Sequence, residues 1–363
     1  MKTLYCVTGA TGHLGNNLIK TLVSQGKQVR ALILKGQPEF MLDDCVEKVY
    51  GDTTDIQSLE PFFRHSEDEQ LIVIHAAAII SITEKYDKKV YDVNVGGTKN
   101  IVDMCIKYNV KKLVHIGSVH AIDTQPNVLI ADCTVFDESK LVGNYAKSKA
   151  LAINYVLGKA KEGKLDYVLG KAKEGKLDAT VLLPSGILGV NDYSHNHIME
   201  MIKNYIKGKL PVAVKGQYDF VDVKDVVQAI VSATENGKSG ECYLITNKNY
   251  TIRQLLDYVS ESLNLKKIRT YLPISFVKLF APLCELHYRR KKTTPLFTKY
   301  SLTVLQSNDT FSHEKATQQL NYNPREIKLT IKDITQWLMN CGLKIGKNML
   351  PRKARRLKQA NQN

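Results

Sequence analysis

Thr8-Gly9-Ala10-Thr11-Gly12-His13-Leu14-Gly15 decides how this chain is read. It follows an apolar run, Leu4 to Val7, that reads as a buried strand. It opens a segment, Asn16 to Ser24, whose apolar residues Leu18, Ile19, Leu22 and Val23 recur at helical spacing. The order is strand, glycine turn, helix. Three glycines divide the work in such a turn: one permits the bend, one lets the backbone approach a pyrophosphate, and one lets the helix pack closely on the strand. The phosphates then sit against free N–H groups at the positive end of the helix. The glycine spacing alone is common, and its place between a strand and a helix is what points to a dinucleotide site. Gly9, Thr11, Gly12, His13, Leu14 and Gly15 are the residues expected to line it.

Outward from this turn the strand and helix signals continue. Gln28 to Leu34 gives a second strand, whose end bears on cofactor choice. An acidic residue there hydrogen-bonds the adenosine ribose hydroxyls of NAD, whereas NADP requires that charge to be removed and a cation supplied for the 2′-phosphate. The chain reads Ala31-Leu32-Ile33-Leu34-Lys35-Gly36, with no carboxylate and one lysine. NADP(H) is therefore expected in preference to NAD(H), with Lys35, and Arg30 as a second candidate, near the phosphate. Val46 to Tyr50 is a third strand, closed by Gly51-Asp52-Thr53, and Leu71 to His75 a fourth, running into Ala76-Ala77-Ala78. Small residues at the carboxyl end of a parallel strand leave room for a cofactor in the crevice. A helix over Tyr91 to Tyr108 carries Asn94 and Gly96-Gly97-Thr98, and Lys112 to Ile116 is a fifth strand ending at Gly117-Ser118.

Tyr145-Ala146-Lys147-Ser148-Lys149 lies in a helix-prone stretch, and a spacing of four places Tyr145 and Lys149 on one face. A phenol with a pKa near ~10 is a poor proton shuttle at neutral pH. A neighbouring ammonium in a desolvated cleft favours the phenolate and lowers that pKa. With Ser118 donating to the same oxygen, the three residues would polarise a carbonyl for hydride attack.

With these pieces in place the chain resembles the extended short-chain dehydrogenase/reductase family, which includes NAD(P)-dependent sugar epimerases and dehydratases, dihydroflavonol-reductase-like enzymes and 3β-hydroxysteroid dehydrogenases. The matching pieces run in order: Gly9 to Gly15, Gly51-Asp52, His75-Ala76-Ala77, Asn94 to Thr98, Ser118, Tyr145 to Lys149, Pro184-Ser185-Gly186, and Asp219-Phe220-Val221-Asp222-Val223-Lys224-Asp225. The resemblance implies Tyr145 as acid/base, Lys149 lowering its pKa and holding the nicotinamide ribose, and Ser118 orienting the carbonyl. It also implies Asp52, with Thr53, near the adenine, Ala76 and Ala77 along the cofactor, and Pro184-Ser185 beside the nicotinamide. The reductase-like branch is nearest because of the non-acidic end of the second strand. Gly117 departs from the pattern, since many members have another hydroxyl residue there, and so does Leu183, where arginine is frequent.

The expected fold is α/β: a Rossmann-type doubly wound parallel sheet with a smaller C-terminal α/β substrate domain. Residues 1–189 and 217–246 are assigned to the dinucleotide domain, 190–216 and 247–343 to the substrate domain, and 344–363 to a basic tail. That tail carries seven Lys and Arg and no acid, almost half of the formal net charge of +15. It lacks the aromatic interleaving used for base stacking, so no nucleic-acid partner is expected. Seven scattered cysteines, odd in number and without C-x-x-C spacing, support neither a disulfide framework nor a zinc site, and no metal is expected. Scattered thiols, no signal peptide and no apolar run of ~18 residues point to a cytoplasmic protein.

Residues 155–166, Tyr-Val-Leu-Gly-Lys-Ala-Lys-Glu-Gly-Lys-Leu-Asp, are repeated without change as residues 167–178. One copy suffices to finish the catalytic helix and reach a sixth strand, Thr180 to Leu183, so the other is an insertion. Four glycines, each costing ~1 kcal/mol in a helix relative to alanine, predict a break near Gly163, far from the chemistry. Beyond Gly186 the chain is expected to leave the sheet and build a cover. Asp219 to Asp225 and a helix over Val226 to Thr234 should return to it, and Thr251-Ile252-Arg253-Gln254 should start a helix of the smaller domain. His195 and His197 are too loosely placed to argue as metal ligands. Ile274 to Leu286 is apolar with a basic flank, Arg289 to Lys292, which suits the lining of an apolar substrate pocket better than a peripheral membrane contact. A sugar nucleotide would call for placed arginines, and only Arg253 and Arg269 are free there.

Hydride transfer between NADP(H) and a small, apolar carbonyl or secondary alcohol is the leading expectation, with a homodimer compatible. The alternatives are an NAD-dependent nucleotide-sugar epimerase or dehydratase, and a non-catalytic dinucleotide sensor.

Overall fold

Short runs rich in apolar residues make the central sheet, and every strand of it except the edge strand over Glu47–Tyr50 is buried along most of its length, as strands of a parallel sheet covered by helices are. The computed structural model describes residues 1–81, 86–124, 128–133, 135–168, 177–194, 196–277, 305 and 310–349, with the backbone alone for 163–168. In chain order the large sheet contains β1 (Lys2–Thr8), β2 (Gln28–Ile33), β3 (Glu47–Tyr50), β4 (Glu69–His75), β5 (Lys112–Ile116) and β6 (Ala179–Pro184). Residues Leu4, Cys6, Leu71, Val73 and Leu113 pack on one face against Phe62, Phe63, Ile101 and Ile153. Tyr5, Val7, Ile72, Ile74 and Val114 pack on the other against Leu18, Ile19, Leu22, Val226 and Ile230.

Beyond β6 the chain leaves this sheet. β7 (Gly186–Leu188) and β8 (Gln217–Asp222) pair in parallel, and β10 (Lys248–Thr251) adds antiparallel to β8 to complete a three-stranded sheet. Between them β9 (Cys242–Ile245) returns to the edge of the large sheet, whose order is β9-β6-β5-β4-β1-β2-β3. All the pairings in it are parallel. The strand order reverses between β1 and β4, and the crevice beyond their carboxyl ends is where such sheets take ligands. The doubly wound parallel sheet expected from the sequence is therefore borne out. One detail differs: Asp219 to Asp222 belong to the small sheet, and only the following helix returns to the large one. Pairing with Gly186 to Leu188 decides this.

The helices that frame the site are α1 (His13–Ser24), α2 (Thr98–Lys107), α3 (Asn144–Val168), α4 (His197–Ile206), α5 (Val223–Asn236), α6 (Ile252–Leu263) and α7 (Ile327–Asn340). Thr251 and Gln254 start α6 with a reciprocal capping box, which satisfies two amides at its N-terminus. The break expected near Gly163 does not occur. Helix α3 passes Gly158 and Gly163 and continues to Val168, the second residue of the repeated dodecamer. Glycine weakens a helix but, unlike proline, keeps the amide of the i→i−4 bond, so its cost can be overridden. Val156, Leu157 and Ala160 of the first copy are buried, as is Leu177 near the end of the second. Residues 169–176 lie outside the described residues, as do His195, most of Ile274 to Leu286, and the tail beyond residue 349. Among the described residues no helix is long and apolar enough to cross a membrane.

Candidate active site

The glycine turn is built by close backbone approach. Gly9 has φ +67°, and a Cβ there would lie 2.7 Å from backbone atoms of both Ala76 and Ala77, so the turn sits directly against the end of β4. A Cβ on Gly15 would lie 2.1 Å from the Gly9 carbonyl oxygen, which sets how tightly α1 closes on the turn. Gly12 is the N-cap of α1 and supplies no side-chain acceptor, and the first turn carries no acid. Its leading amides are thus left to an outside anion, and the cradle fits a pyrophosphate. Thr11, His13 and Leu14 are partly exposed around it. The His13 ring reaches the Val190 carbonyl at 3.1 Å, and Asn16 and Asn17 donate to the carbonyls of Asn191 and Val190 at 3.2 and 3.1 Å. These bonds tie the start of α1 to the segment after β7.

At the ends of β2 and β3, Lys35 is exposed beside Gly36, whose φ is +88°. Arg30 is elsewhere: it lies in mid-strand, buried, donating to the carbonyls of Phe62 and Arg64 and paired with Glu47 at 2.9 Å. It cannot serve the phosphate site, because its guanidinium caps the chain end after Phe63. Asp52 accepts from the amide and hydroxyl of Thr54, each at 2.8 Å, and Thr53 is buried against Gly97. Ala76 and Ala77 are partly exposed, and the Ala77 amide donates to Thr8 Oγ1 at 3.2 Å.

Behind the crevice runs a buried polar chain. His75 bridges Thr8 Oγ1 at 2.7 Å and Thr98 Oγ1 at 3.0 Å, and burial drives its pKa down to about 3, so the ring is neutral. Thr98 in turn donates to the Asn94 carbonyl at 2.7 Å. Asn94 lies in a π-helical turn, Asp92–Gly97, that precedes α2. Such turns re-aim a side chain out of helical register. The Asn94 amide clamps Ile79 through both its N–H, at 2.7 Å, and its carbonyl, at 3.0 Å, and donates to Ser148 at 3.0 Å. Ser148 returns the chain to the carbonyl of Tyr145 at 2.9 Å.

Ser118, Tyr145 and Lys149 meet around the end of β5. Ser118 caps a 3₁₀ turn, Val119–Ala121, and its hydroxyl is hydrogen-bonded to the Tyr145 phenol. Burial raises the phenol's pKa above its ordinary value and the Ser118 bond pulls it back. The expected lowering by Lys149 is not what this structure has, because the ammonium donates to the Ile116 carbonyl at 2.7 Å. Burial brings the lysine itself down to about 8. Pro184 ends β6 and Ser185 follows it, both buried, but the Ser185 hydroxyl is committed to Asp219, which also accepts from the Asn247 amide at 3.0 Å. The acids of the 219–225 motif act as joints: Asp222 caps α5 and accepts from Thr330 at 2.7 Å, while Asp225 accepts from the Arg325 amide at 2.9 Å.

Two residues at the site escaped the sequence reading. His120 lies edge-on to Tyr145 with ring centroids 5.8 Å apart, and its Nε2 is 3.0 Å from the Tyr218 hydroxyl. The only signal available was that His120 follows Ser118 by two residues; Tyr218 arrives from β8 by tertiary packing.

A glycine cradle at the switch point of a parallel sheet, with Ser, Tyr and Lys gathered at the next strand end, defines a dinucleotide-dependent enzyme of the oxidoreductase type. The chain belongs to the NAD dependent epimerase/dehydratase family, whose profile matches residues 5–246. It is 28% identical to sterol demethylase protein B of Methylococcus capsulatus, over 93% of this chain and 98% of the relative. Identity is 25% to short-chain dehydrogenase/reductase family 42E member 1 of Xenopus laevis, over 94% and 89%. A 3-beta-hydroxysteroid dehydrogenase of Mycolicibacterium neoaurum is 23% identical over 88% and 86%. Among solved structures, gox2253 superposes with a TM-score of 0.77 at 26% identity, over 94% of this chain and 99% of that one. These relatives agree with the extended short-chain dehydrogenase/reductase kinship expected from the motifs.

Proposed function

We propose that this protein is an NADP(H)-preferring oxidoreductase acting on a carbonyl or secondary alcohol of an apolar substrate. The observation that carries the proposal is the convergence of Ser118, Tyr145 and Lys149 on one strand end, beside the glycine cradle. The glycine cradle would hold a nicotinamide dinucleotide, which would supply the hydride chemistry at the substrate carbon. Tyr145 gives or takes the proton at the substrate oxygen, and Ser118 holds that oxygen in line. Burial raises the phenol's proton affinity further and the Ser118 bond offsets part of that rise. Lys149, one helical turn further along α3, brings a cation to the same strand end, tied to the Ile116 carbonyl, and burial brings its own pKa down to about 8. The cofactor preference is carried by Lys35 and by the missing carboxylate at the end of β2.

The names of the relatives favour a hydrophobic alcohol such as a 3β-hydroxysteroid over a sugar nucleotide. Arg253, expected to be free for a diphosphate, instead lies over the Tyr271 ring with 4.3 Å to the centroid. An NAD-dependent epimerase or dehydratase is the second reading, since the family profile carries that name. Separate titrations with NADPH and NADH, followed by Trp337 fluorescence, test the choice. Trp337 packs edge-on against Tyr193, 5.7 Å away between centroids, in the segment that α1 holds, so it is placed to report on the cradle. Tighter NADPH binding is expected; tighter NADH binding would transfer the case to the epimerase.

A further inference from the structure

We propose that His120 is a positioning residue: its imidazole holds the Tyr145 ring in the geometry that the reaction needs, and is itself held by Tyr218. The proposal rests on Tyr145 being the acid/base. Two observations carry it. First, the imidazole stands edge-on to the Tyr145 ring, 5.8 Å between centroids at 71°, the arrangement that aromatic pairs prefer. Second, the imidazole lies nearly parallel to Tyr218, 5.7 Å away at 19°, and its Nε2 is 3.0 Å from the Tyr218 hydroxyl. The backbone amide of residue 120 separately donates to Ser118 Oγ at 3.2 Å, a bond that the His120 variants keep.

Tyr218 is a rigid anchor. It is buried on β8, in register with Tyr250 on β10, and packs edge-on against Phe220 at 5.5 Å. Gly186 makes room for both rings: a Cβ there would come within 3.0 Å of Tyr218 and 2.8 Å of Phe220. The chain of contacts thus runs from the small sheet through Tyr218 and His120 to the reacting phenol. Because a displacement of about 1 Å at a reacting group can cost ~10²-fold in rate, a ring that fixes the phenol's orientation controls turnover without touching substrate. The same contacts make the residue sensitive to how the small sheet sits on the large one.

The test places 3-fluorotyrosine at position 145 in the full chain and records the ¹⁹F line with and without His120→Ala. One line is expected with His120 in place, and a broadened or split line in the variant, as the ring samples a second orientation. An unchanged line overturns the proposal. In parallel, a 3β-hydroxysteroid with NADP is assayed. His120→Ala should lower kcat at least tenfold with KM within about threefold and NADPH affinity unchanged. Tyr218→Phe, which removes one hydroxyl and should fold, is expected to lower kcat less, and the double variant His120→Ala/Tyr218→Phe to be no worse than the poorer single one. Wild-type kcat in His120→Ala, a change confined to KM, or full additivity overturns the proposal. Tyr145→Phe separates the layers: if it keeps turnover, the acid/base assignment and this proposal fall together. If it is inactive while His120→Ala is unimpaired, only this proposal falls.

Discussion

Replacing Lys149 with methionine should make the protein more stable at neutral pH while abolishing its activity. Lys149 is 4% exposed and donates to the Ile116 carbonyl, and among the described residues no carboxylate pairs with it. Burial brings its pKa from an ordinary 10.5 to about 8. Below pH ~8 folded and unfolded chains both carry the proton, and the folded state bears the whole cost of burying it. Between ~8 and ~10.5 the unfolded chain still binds the proton and the folded one does not, so wild-type stability rises with pH through that window. At 1.36 kcal/mol per unit the cost is about 3 kcal/mol. Losing the bond to Ile116 returns about 1 kcal/mol, which leaves Lys149→Met ahead by roughly 2 kcal/mol at pH 7. Urea unfolding of both proteins at pH 7, 9 and 10.5 measures this. The difference should be largest at pH 7 and vanish or reverse by 10.5. A variant that is less stable at pH 7, or a difference that ignores pH, would refute the argument that the lysine is held in strain for function.

Gly9→Ala should cost about 3 kcal/mol, combining ~1–2 kcal/mol for a left-handed alanine with the displacement forced by a Cβ 2.7 Å from the Ala76 and Ala77 backbone. A thermal melt and an NADPH titration should both fall, and a wild-type melting temperature would contradict the close approach. Deleting residues 167–178 should leave cofactor affinity and kcat unchanged. The start of the first copy supplies the buried Val156, Leu157 and Ala160, and Leu165-Asp166 can take the places of Leu177-Asp178. Loss of NADPH binding in the deletion would show that the repeat supports the site.

The central sheet was legible because burial on both faces writes most of its strands as runs rich in apolar residues, the edge strand over Glu47–Tyr50 excepted. Lys112 to Ile116 was read with the bounds it has, and the glycine turn was read from its context. The convergence of Ser118 with Tyr145 could be anticipated because both follow from where strand and helix ends must lie in a parallel sheet. What escaped depends on partners distant in sequence. Arg30 reads as a cation near the end of a strand, yet the carbonyls of Phe62 and Arg64 fix it more than 30 residues away. The π-turn at Asn94 is set by Ile79 and Ser148, and His120 gains meaning only when β8 delivers Tyr218. At Gly163 local propensity was outweighed by helix continuation. The phenol's proton affinity was misjudged because a one-turn spacing says that Lys149 is near, not that Ile116 holds it.

The most direct test of hydride transfer with Tyr145 as acid/base is steady-state turnover of a 3β-hydroxysteroid by wild type and Tyr145→Phe, with NADPH affinity measured on both. The variant should bind the cofactor as wild type does and lose at least ~10²-fold in kcat, the share that a positioned acid or base supplies. Turnover at the wild-type rate with intact cofactor binding would contradict the assignment.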